Sequence, residues 1–261
     1  SHLICFNLIS IFHQANVLTS YRTGNTGLVN GIHYKWLFKI MQIKELRLQS
    51  TNNLALISFY KDILELPVIK HGKGISITAG KTNLIFDEAP ESENPFYHFA
   101  FNIPFNKFDE ALQWIKQREQ LLWLEDYNSF IADFVNWNAK SFYFKDPAGN
   151  ILEMIARFDL KNAVDQPFSP KQIRSISEIG IVFPIYSFDE NVNSLMKQFS
   201  LNYFDKQPPL EHFRALGNDE GLFIVVPENR FWFATRSEAK VYSSEITFTH
   251  NNKVHKLILP K

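Results

Sequence analysis

Hydrophobic and polar positions along the chain alternate between period two and period 3.6, and the order of those periods repeats. In Ile43–Gln49, Ile43, Glu45, Arg47 and Gln49 share one face, and Lys44, Leu46 and Leu48 the other. Asn53–Leu64 follows as a helix, with Leu54, Ile57, Lys61 and Leu64 along one stripe and Thr51 or Asn52 as N-cap. Short β-like runs come next at Pro67–Lys70, Gly74–Ala79 and Asn83–Asp87, split by Gly-containing turns. The unit reads strand, helix, three strands.

A second unit has the same order. Phe96–Ile103 is a strand, and Phe108, Ala111, Leu112 and Ile115 have the i, i+3, i+4, i+7 spacing of an amphipathic helix. Leu121–Glu125, Ser141–Phe144 and Asn150–Arg157 supply three more strands. Between the first two lies Asp126–Lys140, a loop rich in aromatics that is expected to cover a pocket. A third unit has a strand at Ile176–Phe183, a capping box at Ser187–Glu190 and a helix stripe of Val192, Leu195, Met196 and Phe199. Its later strands are Phe213–Leu216 and Leu222–Val226. A fourth begins at Ser243–Phe248, with a last run at Val254–Pro260.

The repeat is visible in the letters. Pro104…Phe108-Asp109-Glu110 matches Pro184…Phe188-Asp189-Glu190, which lays His98 on Glu178. Superposing the first two strand–helix units lays Glu45 on His98, and Glu245 takes the same place in the fourth. Asp146-Pro147-Ala148-Gly149 reads as a tight turn joining two antiparallel strands. Beyond it Ile151, Glu153 and Ile155 share a face. A carboxylate among apolar neighbours needs a Lys or Arg partner, a solvated edge, or a ligand role.

Composition narrows the function classes. The 261 residues carry 27 basic and 27 acidic side chains, so no charge excess points to nucleic acid or an anionic membrane as partner. Hydrophobic residues make up 45%, enough for a sizeable core. The single cysteine, Cys5, rules out an intrachain disulfide and a cysteine zinc cluster, and fits a reducing, cytoplasmic setting. Residues 1–40 contain that cysteine and no Asp or Glu. Leu3–Phe12 is too short to span a bilayer and makes a poor signal peptide. We expect 1–40 to be an extension outside the fold, or a start-site artefact.

Two consecutive βαβββ units ending in Asp146-Pro147-Ala148-Gly149-Asn150-Ile151-Leu152-Glu153 resemble the glyoxalase, bleomycin-resistance and extradiol-dioxygenase (vicinal oxygen chelate) superfamily. Ser58-Phe59-Tyr60 with Ile63-Leu64, and Tyr97-His98-Phe99-Ala100-Phe101, carry the rest of the resemblance, which covers Met41 to about Arg157. It implies an α+β fold whose repeated βαβββ units form half-open barrel sheets. It also implies a divalent metal held by first-strand residues and a Glu on the closing strand. Those positions here are Glu45, His98 and Glu153, and Glu45 departs from the usual His. Such N and O donors suit Zn²⁺, Mn²⁺, Fe²⁺ or Ni²⁺. Arg47, on the face of Glu45, is the competing partner for that carboxylate.

The expected organisation is a two-unit domain at 41–157, a linker at 158–172 and a degenerate half-module at 173–261. The half-module has Glu178 and Glu245 but no closing glutamate, only His255 and Lys256 in its last run, and Phe231, Trp232 and Phe233 suited to packing. The function expected from the resemblance is a metal-dependent lyase or isomerase on a small carbonyl or oxygenated substrate. The alternatives are a metal-free small-molecule binder and an extradiol-type dioxygenase. Glu45 and Glu153 are the candidate catalytic carboxylates. Arg47, Phe130, Phe134 and Trp137 are the candidate substrate contacts. A monomer or homodimer is expected.

Overall fold

A computed structural model describes residues 40–260. The expectation for residues 1–40 falls almost wholly outside the described residues. The first unit comprises β1 (Gln42–Ser50), α1 (Asn53–Ser58), β2 (Val68–His71), β3 (Gly74–Ala79) and β4 (Thr82–Glu88). Beyond Ser58, α1 widens into a π-helical turn, Phe59–Ile63. The second comprises β5 (His98–Ile103), α2 (Phe108–Lys116), β6 (Ala132–Phe134), β7 (Ala139–Lys145) and β8 (Ile151–Arg157). The third has β9 (Ser175–Phe183), α3 (Phe188–Phe199), β10 (Arg214–Asn218) and β11 (Gly221–Pro227). β12 (Ser244–His250) and β13 (Lys253–Leu259) follow. The α+β class and the recurring strand–helix order are thus observed.

Two details of the second unit differ from the pattern-based reading. Leu121–Glu125 forms no strand: it makes an isolated bridge, Leu124 to Ser129, and one bond from Leu122 N to Tyr143 O at 2.8 Å. The strand falls inside the aromatic loop instead, where Ala132–Phe134 pairs with Ala139–Ser141. Three residues on a sheet edge are too few to show a period in the sequence.

The pairing between units departs from the expected organisation. The six-stranded sheet runs β13-β12-β1-β4-β3-β2, and the seven-stranded sheet β10-β11-β9-β5-β8-β7-β6. Unit one therefore joins the fourth fragment, and unit two joins unit three. The position after Arg157, expected to close a domain, lies instead between two strands of one sheet. Its connecting segment is built in: Arg174 N donates to Asn102 O at 2.8 Å, and Phe168 N to Glu110 Oε2 at 2.6 Å. A buried hydroxyl, Thr82 Oγ1, ties the sheets by donating to Ile43 O at 2.8 Å and accepting from Ile176 N at 3.0 Å.

The two faces of the seven-stranded sheet differ. Phe99, Phe101, Leu152, Met154, Phe142 and Phe144 pack with α2 and α3 residues in the main core. Ala100, Ile151, Ile155, Tyr143, Leu222 and Ile224 line the other face with Trp137, Phe204 and Trp232. This second, curled face holds the candidate site. No helix among the described residues is long and apolar enough to cross a membrane.

Candidate metal centre

The Asp146–Asn150 turn sets the geometry of the site. Asp146 Oδ1 accepts from Ala148 N and Asn150 N, both at 3.0 Å, and Gly149 takes the positive φ of 86° that closes the turn. Tyr60 OH donates to Asp146 Oδ2 at 2.9 Å. Asn150 Oδ1 accepts from Tyr97 N at 2.8 Å, so the same turn anchors the start of β5 next to β8. The motif therefore fixes His98 on one strand against Glu153 on the next.

Register brings in a third residue. Ala100 of β5 pairs with Glu153 of β8 on one side and Glu178 of β9 on the other. The row extends to Tyr143 of β7 and Leu222 of β11. An irregularity between Ala100 and Phe101 in the β5–β9 pairing leaves Ser177 as the extra residue; such a bulge re-aims neighbouring side chains. A methyl at Ala100 leaves room between the two carboxylates, and His98 lies two residues along the same face. Donor atoms of His98, Glu153 and Glu178 all lie within 4.8 Å of one another. The three residues are 7%, 2% and 2% exposed.

The electrostatics of this cluster suit either a shared proton or a cation. His98 Nδ1 lies 3.1 Å from the Ile151 carbonyl, which can only accept, so Nδ1 carries the hydrogen and Nε2 a lone pair. Burial, helped by the charge of Arg230, pulls His98 down to about 4 and keeps it neutral. That lone pair faces Glu153 Oε2 at 3.6 Å. The ring nitrogen and the Glu153 carboxyl therefore need a proton or a cation between them, with a second carboxylate alongside. Donors about 2.0–2.2 Å from a shared ion would be separated by a comparable distance. One imidazole nitrogen and two carboxylates thus fit a divalent cation in number, type and spacing.

Glu178 is oriented by Arg157, whose Nη2 donates to Glu178 Oε1. Arg157 is fully buried, and its Nη1 lies 3.3 Å from Asp219 Oδ1. Lys206 Nζ extends the network to Asp219 at 2.6 Å and Asp159 at 2.7 Å. Glu153 makes no direct ion pair with a Lys or Arg among the described residues. Burial, then the charge of Glu178, pushes it up to about 8, opposed by the nearby hydroxyls of Ser141 and Tyr143 and by the charge of Arg157.

This raises a pH dependence. From about 4.5 to 8 the folded chain holds a proton on Glu153 that the unfolded chain has released, so stability falls as pH rises. His98 acts oppositely below its ordinary 6.5, being neutral when folded and charged when unfolded. Asp146, pushed up to about 6 by burial, is mostly titrated by pH 6.5 and adds little above it. Glu178, also raised, adds to the effect of Glu153. Chelator-treated protein should therefore lose about 2 kcal/mol between pH 6.5 and 8 in urea unfolding. Glu153→Gln should flatten that slope, and a flat wild-type profile would contradict the assignment.

The remaining residues singled out in the sequence fall in several places. Glu45 lies on β1 in the other sheet, accepting from Asn83 Nδ2 at 3.3 Å, and is not part of the cluster. Arg47 pairs with Asp87 at 2.9 Å, on the same sheet as Glu45. Glu245 pairs with Lys256 at 2.6 Å. Phe130 is exposed and packs edge-on to Trp123 at 5.0 Å. Phe134 and Trp137 do border the curled face. Trp137 lies 5.4 Å from the Arg157 guanidinium, and Phe134 packs with Phe233 at 6.0 Å. Trp232, read only as a packing residue, packs against His98 with ring centroids 5.3 Å apart and planes tilted by 46°. Gly180 makes that approach feasible: a Cβ there would sit 2.4 Å from Trp232 Cη2.

No protein-family model matches the chain. Among curated proteins it is 32% identical over 104 residues to a metallothiol transferase, FosB, of Staphylococcus epidermidis. That match spans 38% of this chain and 69% of the relative. Its fold is similar to a solved structure from Bacillus subtilis described as a candidate dioxygenase. The TM-score is 0.53 at 11% identity, over 84% of this chain and 85% of that one. A glyoxalase I variant from Zea mays aligns over 84% of this chain and 92% of its own, with TM-score 0.48 and 8% identity.

Proposed function

The chain belongs to the vicinal oxygen chelate superfamily, and from that premise we propose a divalent-metal-dependent enzyme with His98, Glu153 and Glu178 as ligands. Its substrate is a small molecule that chelates through two oxygens, and its reaction is of the lyase or isomerase type. The observation that carries this reading is the tautomer of His98. Its Nδ1–H is spent on Ile151 O, so its Nε2 lone pair is left facing the carboxyl groups of Glu153 and Glu178, where an ion can replace the Glu153 proton. The name of the Staphylococcus epidermidis relative, a metallothiol transferase, supports metal use by the same superfamily.

A bound divalent ion supplies Lewis-acid polarisation of a carbonyl and stabilises developing negative charge beside it. The protein's residues divide the other tasks. Arg157 holds Glu178 in one orientation. Glu153, raised by burial while the site lacks an ion, gives up its proton when the ion binds and with Glu178 balances the ion's charge. Tyr143, Phe233 and Trp232 form an apolar wall that keeps water from the polarised group. Glu45 takes no part in this scheme.

Calorimetry of chelator-treated protein with Zn²⁺, Mn²⁺, Fe²⁺ or Ni²⁺ tests the proposal. One ion should bind per chain. At pH 7, buffers of different ionisation enthalpy should reveal release of about one proton, that of Glu153. Absence of binding by all four ions would overturn the reading and favour a metal-free binding protein.

A further inference from the structure

The candidate centre is closed off from solvent: His98, Glu153 and Glu178 are 7%, 2% and 2% exposed. An ion or a substrate reaches them only if part of their surroundings moves. Two segments border the curled face of the seven-stranded sheet, residues 125–138 with Tyr127, Phe134 and Trp137, and residues 228–239 with Trp232 and Phe233.

The two segments are held differently. In the first, Ala132–Phe134 pairs with β7, Trp137 Nε1 donates to Gln207 Oε1 at 3.1 Å, and Asn138 Nδ2 to Asp159 Oδ1 at 2.7 Å. The second is a hairpin whose backbone bonds close on itself. Asn229 N donates to Ala239 O at 2.8 Å, Ala239 N to Arg230 O at 2.7 Å, and Trp232 N to Ser237 O at 2.9 Å. Its base is tied to the end of β9, where Glu228 N donates to Phe183 O at 2.8 Å. Near its tip Arg236 reaches Glu125 at 3.8 Å, a pair of exposed side chains that adds little.

Ring packing holds the hairpin down instead. Trp232 is 4% exposed and lies against His98, with centroids 5.3 Å apart. Phe233 meets Tyr143 at 5.3 Å, and Tyr127 and Phe134 each at 6.0 Å. Tyr143 also neighbours His98, at 6.3 Å, but it belongs to β7, which has a strand on each side. Trp232 is therefore a cover of His98 that can leave without breaking a strand ladder. Its closed position depends on a residue with no side chain. A Cβ at Gly180 would meet Trp232 Cη2 at 2.4 Å, Cζ2 at 3.0 Å and Cζ3 at 3.2 Å.

We propose that the 228–239 hairpin is a lid, which swings out from its base to take Trp232 off His98 and admit ion and substrate, and closes with Trp232 over Gly180. Lids of this kind open on microsecond to millisecond time scales. The open form is the minor one, on the order of 0.1–10% of molecules. Closure keeps water from the group that the ion polarises. What passes under the lid rests on the metal reading above; the motion of the hairpin does not.

Two measurements keep these apart. The first needs no metal. Protein is labelled with fluorotryptophan, and the Trp232 fluorine signal is identified by its loss in Trp232→Phe. In chelator-treated wild type that signal should exchange with a minor form. In Gly180→Ala, where the new Cβ wedges the lid open, it should move to the position of the minor form and gain the solvent-isotope shift of an exposed ring. Phe233→Ala, which keeps Gly180, should enlarge the minor form. Absence of a minor form in wild type, or a Trp232 ring as buried in both folded variants as in wild type, would overturn the proposal.

The second measurement follows Zn²⁺ uptake, and Zn²⁺ release into excess chelator. Both rates should rise roughly tenfold or more in Gly180→Ala and Phe233→Ala, as loss of several ring contacts implies. The dissociation constant should stay as in wild type, because a gate speeds entry and exit alike. Faster release with weaker binding would mean that the variants disturb the ligands, and unchanged rates would mean that the ion does not pass the lid. Either result would overturn the proposal. Wild type that binds no Zn²⁺ would overturn the metal reading, and the fluorine signals would then decide the lid alone.

Discussion

Replacing Arg157 by Met should cost the metal-free fold roughly 3–5 kcal/mol, the usual penalty for removing one partner of a buried ion pair. Arg157 is 0% exposed, and the carboxylate it serves, Glu178, is 2% exposed. Without the guanidinium, Glu178 and Glu153 face each other across Ala100 with no cation between them. Methionine fills the space between Trp137 and Phe204 but supplies no charge. In a domain of this size the loss corresponds to a fall in melting temperature of roughly 10 °C. Three companion results identify the cause as charge. The penalty should shrink at pH 5, where a proton replaces the guanidinium. It should shrink when divalent metal is added, since the ion then neutralises both carboxylates. Arg157→Met combined with Glu178→Gln should cost less than the separate losses added together, because the two side chains are in contact. Equal losses at pH 5 and pH 8, with and without metal, would mean that Arg157 acts through packing alone.

His98 and Glu153 were legible in the sequence because both sit in strong local signals. His98 opens a strand of five further buried residues, and Glu153 follows a turn whose Asp, Gly and Asn each have a defined task. The matching Phe-Asp-Glu helix starts also gave Glu178 the right strand and the right face. What the pattern could not give was the neighbour of β5. Period-two alternation says which face a side chain takes, not which strand lies beside it. The expectation that units one and two would pair therefore put Glu45 where the structure has Glu178.

A finer physical signal did distinguish the two glutamates. Glu45 lies among Lys44, Arg47 and Gln49, the composition of a half-solvated face, and β1 alternates between buried and partly exposed residues. Glu178 is the lone charge within Ser175–Phe183, and Arg157 the lone cation ending Ile151–Arg157. Two lone, opposite charges on apolar strands imply each other, since neither can be buried alone. Trp232 carried no comparable signal. It lies in an irregular hairpin, and only the tertiary structure brings that hairpin over His98.

The largest expected effect on ligand binding separates Glu178 from Glu45. Removing a hydrogen-bond partner of a metal ligand typically costs roughly 10–100-fold in affinity, and removing a ligand itself costs more. Elemental analysis of protein purified without chelator or affinity metal, for wild type, His98→Ala, Glu178→Gln and Glu45→Gln, tests the account most directly. Circular dichroism checks that each variant is folded. Glu178→Gln keeps the shape of the side chain and removes one negative charge, so loss of metal there reports on coordination and not on packing. The account predicts near-stoichiometric metal in wild type and Glu45→Gln, and loss of metal from folded His98→Ala and Glu178→Gln. Metal retained by Glu178→Gln and lost from Glu45→Gln would contradict it, and would return the centre to units one and two.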